Sequence, residues 1–462
     1  MDKAAKRLGA AEKKLQRGLK RNGHKAKNIS KAILKHRRFS RFLRVLGPGL
    51  VTGAADDDPS GIATYSQAGA GFGYGLLWAF PFMYPLLLGV QESCARIGAI
   101  SGKGLAAVIK DHYSKKVLFA CVALVVIANT INIGADLGAM AATTQLFVDI
   151  PFVLLAIGYA AFIVMLVVFV NYKTYAKVLK WLAITLFAYP ITALLVGQDW
   201  PEVFRQTFTV NVKLDFNTIY IIVGMLGTTI SPYLFFWDTS EVVEEERANR
   251  NMSKIGEVPR ATKKFLHNLR IDNLVGMTLA SVTAWFIVIA CASTLYKHGI
   301  TEINTAADAA RAIEPLVQGF PNSGLIAKLI FSIGIIGLGL LAVPVLAGSS
   351  SYAISEMFGW REGLSRKFSR ALGFYVVIVV ATLAGLAINF MGIDPIDALI
   401  FTAVFNGIAA VPLLFMIAKV GNNHRIMGDY KNGFLSNTIV RLTLVVMTVA
   451  VLILGWAFLK GM

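Results

Sequence analysis

Apolar stretches close to the thickness of a bilayer recur along most of the chain, separated by short polar segments. About twenty apolar residues in helical geometry cross a hydrocarbon core. On that measure spans are expected at 45–70, 74–98, 117–146, 152–171, 178–197, 218–240, 271–296, 324–356, 371–390, 396–418 and 438–459. The pattern reads as an all-α integral membrane protein with about eleven transmembrane helices. A polar loop at 298–322 is expected to carry a short amphipathic helix over 305–313.

Two spans break the pattern. The first contains Gly53-Ala54-Ala55-Asp56-Asp57-Asp58-Pro59-Ser60-Gly61 between two apolar flanks, each about half a membrane long. An ionised side chain at mid-bilayer costs at least ~2.5–3.5 kcal/mol, and proline removes a backbone donor. An interrupted helix is expected there, rather than a short helix followed by a loop. The sixth span repeats the device with Gly224-Met225-Leu226-Gly227-Thr228-Thr229-Ile230-Ser231-Pro232-Tyr233. Breaks five helices apart are the mark of a five-plus-five inverted repeat, whose unwound carbonyls and half-helix ends build a site near the midplane. The expected division is a basic tail at 1–44, a ten-helix transport core at 45–419, and a loop with the eleventh helix at 420–462.

Charge refines this picture. Of the residues 56% are hydrophobic and 16% charged, well below the quarter usual in soluble proteins, yet the formal net charge is +18. Sixteen of the 45 Lys and Arg fall within residues 1–44 against two acids, so that segment alone carries +14. With the tail in the cytoplasm, about 39 of the 45 bases lie on the inner side. The exceptions are Arg205, Lys213, Lys297, Arg311, Lys328 and Lys460. The N-terminus is therefore expected inside and the C-terminus outside, in a plasma membrane of prokaryotic type. The charge reports orientation rather than a nucleic-acid partner, and attraction of the tail to anionic lipid follows from it.

Cys94, Cys121 and Cys291 all fall within spans without metal-ligand spacing, and are read as packing residues. No HExxH, phosphate loop or Ser-His-Asp grouping supports an enzyme, and no cofactor is expected. Carboxylates at one break and exposed carbonyls at both make an oxygen-rich, negative site suited to a hard cation such as Mg²⁺, Ca²⁺ or Mn²⁺. Asp58 is the leading ligand candidate. Asp56 and Asp57 point elsewhere on any helix, so at most one joins it, the other lining the mouth or standing hydrated.

Asp58-Pro59-Ser60-Gly61 resembles the Asp-Pro-Gly-Asn motif of the natural-resistance-associated macrophage protein (NRAMP) family of divalent-metal transporters. Gly47-Pro48-Gly49 before it and Ser66-Gln67-Ala68-Gly69-Ala70 after it are similar to that family too. So are Ala95-Arg96-Ile97-Gly98, Ser101-Gly102-Lys103-Gly104-Leu105-Ala106 and Arg425-Ile426-Met427-Gly428. The resemblance runs in patches over 45–459. It implies the LeuT-type fold and metal movement by alternating access.

The departures bear on the cargo. Family members bind metal through the Asp and Asn of the first motif, a methionine in Met-Pro-His, and a carbonyl one turn earlier. The corresponding positions here are Asp58, Gly61, Ser231 and Thr228. The soft sulfur is gone, which points to the NRAMP-related magnesium transporters and a partly hydrated hard ion. The same losses would also be seen in a carrier that had given up metal for another small solute. A membrane scaffold or sensor is a third reading.

Tyr233 stands at the family histidine, Ile133 at a family aspartate and Asp136 at a family glutamate, so proton coupling is expected to be weak or absent. Asp136 is either a relay residue or paired within the bundle. Glu92 is read as the partner of Arg96 one turn on. Asp238, Glu241 and Glu244–Glu246 are read as a solvated acidic face, with an exit vestibule as the alternative. Asn129, Asn132 and Asn389 are read as interhelical hydrogen-bonders, and Asn406 as the asparagine to test for a place at the site.

Overall fold

The computed structural model describes residues 53, 56–170, 187–211, 213, 215–248, 263–319 and 322–460. The tail expected at 1–44, the first half of the first span and about half of the fifth lie outside them. Four helices precede the second apolar hairpin: α1 (Pro59–Phe72), α2 (Ala79–Ser101), the short α3 (Leu105–His112) and α4 (Lys115–Thr144). Next come α5 (Phe152–Phe169), α6 (Ala188–Leu195), α7 (Trp200–Phe208), α8 (Phe216–Thr229) and α9 (Pro232–Ala248). The chain continues with α10 (Lys263–Thr294), α11 (Ala306–Arg311), α12 (Ser323–Phe358), α13 (Leu372–Ile388), α14 (Pro395–Gly421), α15 (His424–Met427) and α16 (Phe434–Lys460). Each described span overlaps a helix, and there is no strand among the described residues.

Among the described residues seven segments are long and apolar enough to cross a membrane: α4, α5, the α8–α9 pair, α10, α12, α14 and α16. The outer faces of α5 and α16 expose Leu154, Met165, Phe169, Leu452 and Phe458, which only a lipid environment suits. The chain is an integral membrane protein.

Lipid tails are as apolar as the side chains, so close backbone approach and interhelical hydrogen bonds hold such a bundle together. Helix α4 sits at its centre, packed against α12, α13 and α14. There Asn129 Nδ2 donates to the Leu346 carbonyl and Ser350 Oγ, both at 3.0 Å, and Asn389 Nδ2 to the Gly134 carbonyl at 2.9 Å. Helices α8 and α14 touch through backbone: a Cβ on Gly227 would lie 2.0 Å from the Ala403 carbonyl oxygen and 2.3 Å from the Gly407 nitrogen. The three cysteines are free and buried, as packing residues would be.

The polar loop carries its expected helix, α11, started by a reciprocal capping box between Thr305 and Asp308. Glu92 pairs with Arg96, and also with Arg270 Nε at 2.6 Å. The solvated acidic face needs correction. Asp238 and Glu246 are buried, and Glu244 accepts from the Tyr352 hydroxyl and, at 2.8 Å, the Leu364 N–H. Glu244 thus faces α12 and its following loop, whereas Asp238 lies beside Asp272 and Asn273 of α10.

Candidate metal centre

Pro59 occupies the first turn of α1, where its missing N–H costs nothing, and Asp58 caps that turn. Asp58 Oδ1 accepts from the Gly61 N–H at 2.8 Å and from Ser60 Oγ at 2.6 Å. Its Oδ2 accepts from Asn132 Nδ2 on α4 at 2.8 Å. An anion held by three donors at a half-helix N-terminus, 1% exposed, has its charge fixed in direction and position.

The second break follows from one residue. In a continuous helix the Thr228 carbonyl would accept from the N–H of residue 232, but Pro232 has none. Helix α8 therefore ends at Thr229 and α9 begins at Pro232. The freed Thr228 carbonyl takes the Ser231 hydroxyl at 2.6 Å, and the same hydroxyl reaches the Gly227 carbonyl at 3.0 Å.

The two breaks meet. A Cβ on Gly61 would stand 3.1 Å from Thr228 Oγ1 and 3.7 Å from Asp58 Oδ1. Gly61 thus leaves clear the space beside Asp58 that a longer side chain would fill, and Thr228 Oγ1, buried without a hydrogen-bond partner among the described residues, borders that space. Asp58, Gly61 and Thr228 form one neighbourhood, with Ser231 joined to it through the Thr228 carbonyl. Among the described residues no three His, Cys, Asp or Glu side chains are grouped to hold a metal. An ion here would be held by one carboxylate and neutral oxygens.

Asn132 is a site residue whose partner the sequence reading missed. Its spacing with Asn129 and Asp136, three and four residues away along one helix face, was the signal available. Asp136 is fully buried, and neither carboxylate oxygen has a hydrogen-bond partner among the described residues, so the paired reading finds no support there. Tyr233 is buried within electrostatic reach of Asp58 and Asp136, its carbonyl accepting from Ser349 Oγ at 2.8 Å. Asn406 is buried beside Gly407, where α14 meets α8, and its Nδ2 has no hydrogen-bond partner among the described residues. Asp56 and Asp57 are 5% and 6% exposed, in a small pocket facing α2 and α10 rather than at an open mouth.

A cavity of about 810 Å³ opens at the far ends of α1 and α8, lined in part by Gln67, Asp215, Tyr220, Glu302, Asp397 and Phe401. Among the described residues no Lys or Arg lines it. The Thr218 N–H, donated at 2.8 Å, holds the Asp215 carboxyl below its ordinary range and keeps it ionised. At the opposite end of the bundle, side chains join α3, α9 and α12. Glu356 on α12 accepts from Ser240 Oγ on α9 at 2.8 Å and from the Ala107 N–H of α3 at 3.0 Å.

Residues 49–457 match the family described as natural resistance-associated macrophage protein-like, Nramp. The chain belongs to this family. The divalent metal cation transporter MntH of Klebsiella pneumoniae (strain 342) is 26% identical to this NRAMP member over 426 residues, covering 90% of this chain and 93% of the relative. MntH of Clostridium acetobutylicum is 26% identical over 428 residues, covering 88% and 90%. The crystal structure of the Eremococcus coleocola manganese transporter superposes with a TM-score of 0.69 at 17% identity, covering 90% of this chain and 87% of that one. The structure of MhsT with L-phenylalanine gives a TM-score of 0.57 at 12% identity, covering 88% and 98%. At these identities the likeness concerns the fold. The NRAMP member has the LeuT-type five-plus-five architecture with interrupted first and sixth helices.

Proposed function

We propose that this chain transports a divalent cation by alternating access, that its cargo is a hard ion with Mg²⁺ foremost and Mn²⁺ also accepted, and that Asp58 is its anionic ligand. The observation carrying this reading is the all-oxygen neighbourhood of Asp58, in which Ser231 stands at the family methionine and Gly61 at the family asparagine. Oxygen donors suit hard ions, and Mg²⁺ dehydrates reluctantly. Small residues at 61 and 231 leave it room to keep waters. Family membership and the MntH relatives, named as divalent metal cation transporters, support the broader class. The acidic cavity would gather cations from the outer side, with the Glu356 contacts closing the inner side. The basic loops orient the chain with its N-terminus inside.

Tyr233 and Ile133 remove two titratable groups from the proton route, so transport runs down the electrochemical gradient. During Mg²⁺ uptake into proteoliposomes, a trapped pH indicator should stay constant; acidification in step with metal entry would contradict this. Ser231→Met places a thioether beside the Thr228 carbonyl. It should shift preference toward Mn²⁺ and Cd²⁺ by about tenfold, a free-energy change of about 1.4 kcal/mol. An unchanged selectivity profile in the same vesicles would refute the softness argument. Asn132→Ala removes the donor that orients Asp58 Oδ2, and losing such a partner typically weakens metal binding by about 10–100-fold. Titration calorimetry with Mg²⁺ should read that loss, and unaltered affinity would relegate Asn132 to packing.

A further inference from the structure

The three consecutive carboxylates of the first break do not serve one site. Asp58 turns to α4, whereas Asp56 and Asp57 line a separate cavity of about 10 Å³, bounded by α2, α8 and α10. That volume holds one water-sized species and no hydrated divalent ion. Both carboxylates are more than nine-tenths buried. Asp56 Oδ1 and, across the cavity on α10, Ser281 Oγ have no hydrogen-bond partner among the described residues. Two more oxygens line the same space. The Thr229 hydroxyl donates to the Met225 carbonyl at 2.7 Å, so the Tyr65 hydroxyl, 2.7 Å from it, is the donor between those two. Both keep lone pairs free.

Two buried carboxylates sharing one cavity repel each other, and neither makes an ion pair among the described residues. The donors are all oxygen, the set preferred by hard cations. Over the three carboxylates of the break alone, a divalent ion at Asp58 leaves one negative charge, which a single positive charge cancels; Asp136 on α4 stands outside this count.

We propose that the Asp56–Asp57 cavity is a second cation site, taking a small monovalent ion of the Na⁺ class from Asp56, Asp57 and Ser281. The count of charge, though not the cavity, rests on the divalent reading of Asp58.

The test uses the full-length protein in detergent without divalent ions, following the thermal unfolding midpoint against NaCl, KCl and choline chloride at equal ionic strength. A ligand that binds only the folded state raises that midpoint saturably. NaCl should raise it and the other two salts should not. Asp56→Asn and Ser281→Ala should each raise the Na⁺ concentration needed by about tenfold, in the range expected when a metal-site partner is lost, while Asp58→Ala keeps the response. No Na⁺-specific shift, or a shift undiminished in both Asp56→Asn and Ser281→Ala, would overturn the second site. A normal Na⁺ shift in a protein that transports no Mg²⁺ in proteoliposomes would overturn the divalent reading and its charge count, and leave the cavity assignment standing.

Discussion

Asp58→Ala should reduce divalent-cation uptake by proteoliposomes to the level of protein-free vesicles, while the purified protein remains monodisperse. The substitution removes the anion at the junction of the two breaks and the N-cap of α1 together. Losing a cap costs about 0.5–2 kcal/mol, a local loss in a bundle whose packing is spread over many helices. Losing the carboxylate removes the charge that borders the Gly61–Thr228 neighbourhood. Asp58→Asn separates the two effects, because the amide oxygen still caps the helix while the charge is gone. Both variants should be inactive, and the asparagine variant should unfold at nearly the parent temperature. Uptake by Asp58→Asn at more than about a tenth of the parent rate, a free-energy loss below about 1.4 kcal/mol, would remove Asp58 from the centre of the mechanism.

Gly227→Val should be nearly as damaging, by a different route. Its Cβ would meet backbone atoms of Ala403 and Gly407 at 2.0 and 2.3 Å, and backbone cannot swing aside as a side-chain tip can. Overpacking of this kind typically costs about 1–3 kcal/mol, and more where nothing yields. To relieve it α8 must move off α14, carrying Thr228 away from Asp58. A midpoint lowered by several degrees and a severe loss of uptake are expected together. Gly158→Ala and Gly455→Ala, whose added Cβ atoms meet nothing within 4 Å, should behave as the parent. A fully active Gly227→Val would contradict the tight α8–α14 seam.

Much of this architecture is legible in the residues because the membrane restricts the options. Backbone polar groups in lipid must bond within the segment, so apolar length alone locates spans. Proline next to carboxylates, or following a Gly-Thr-Thr run, marks the two breaks, whereas Pro85, Pro344 and Pro412 sit inside continuous helices. Asp58 was found that way, Thr228 and Ser231 were placed by the resemblance to the family motif, and the chain's arithmetic of N–H donors explains why Pro232 frees the Thr228 carbonyl.

What a helix faces is harder to read. A span buried in a bundle is apolar around most of its circumference, so periodicity says little about its neighbours. The Asn132–Asp58 hydrogen bond joins residues 74 positions apart, and nothing local encodes it. Asp238 and Glu246 looked like a wet acidic face because acids usually are. Their burial comes from α9 packing along α2 and α12, a contact between distant segments. The opposite facings of Asp56 and Asp58 depend on how the unwound stretch turns, and its conformation is set by the four helices around it.

The central claim is an oxygen-lined divalent site in an NRAMP-fold transporter that favours a hard ion. Its most direct test is initial-rate uptake of Mg²⁺ by proteoliposomes containing the unaltered protein, with Mn²⁺ and Cd²⁺ as competitors. The account predicts saturable Mg²⁺ entry that Mn²⁺ reduces and Cd²⁺ does not outcompete at equal concentration. Transport of Cd²⁺ with Mg²⁺ neither carried nor competing, or no divalent flux at all, would contradict it.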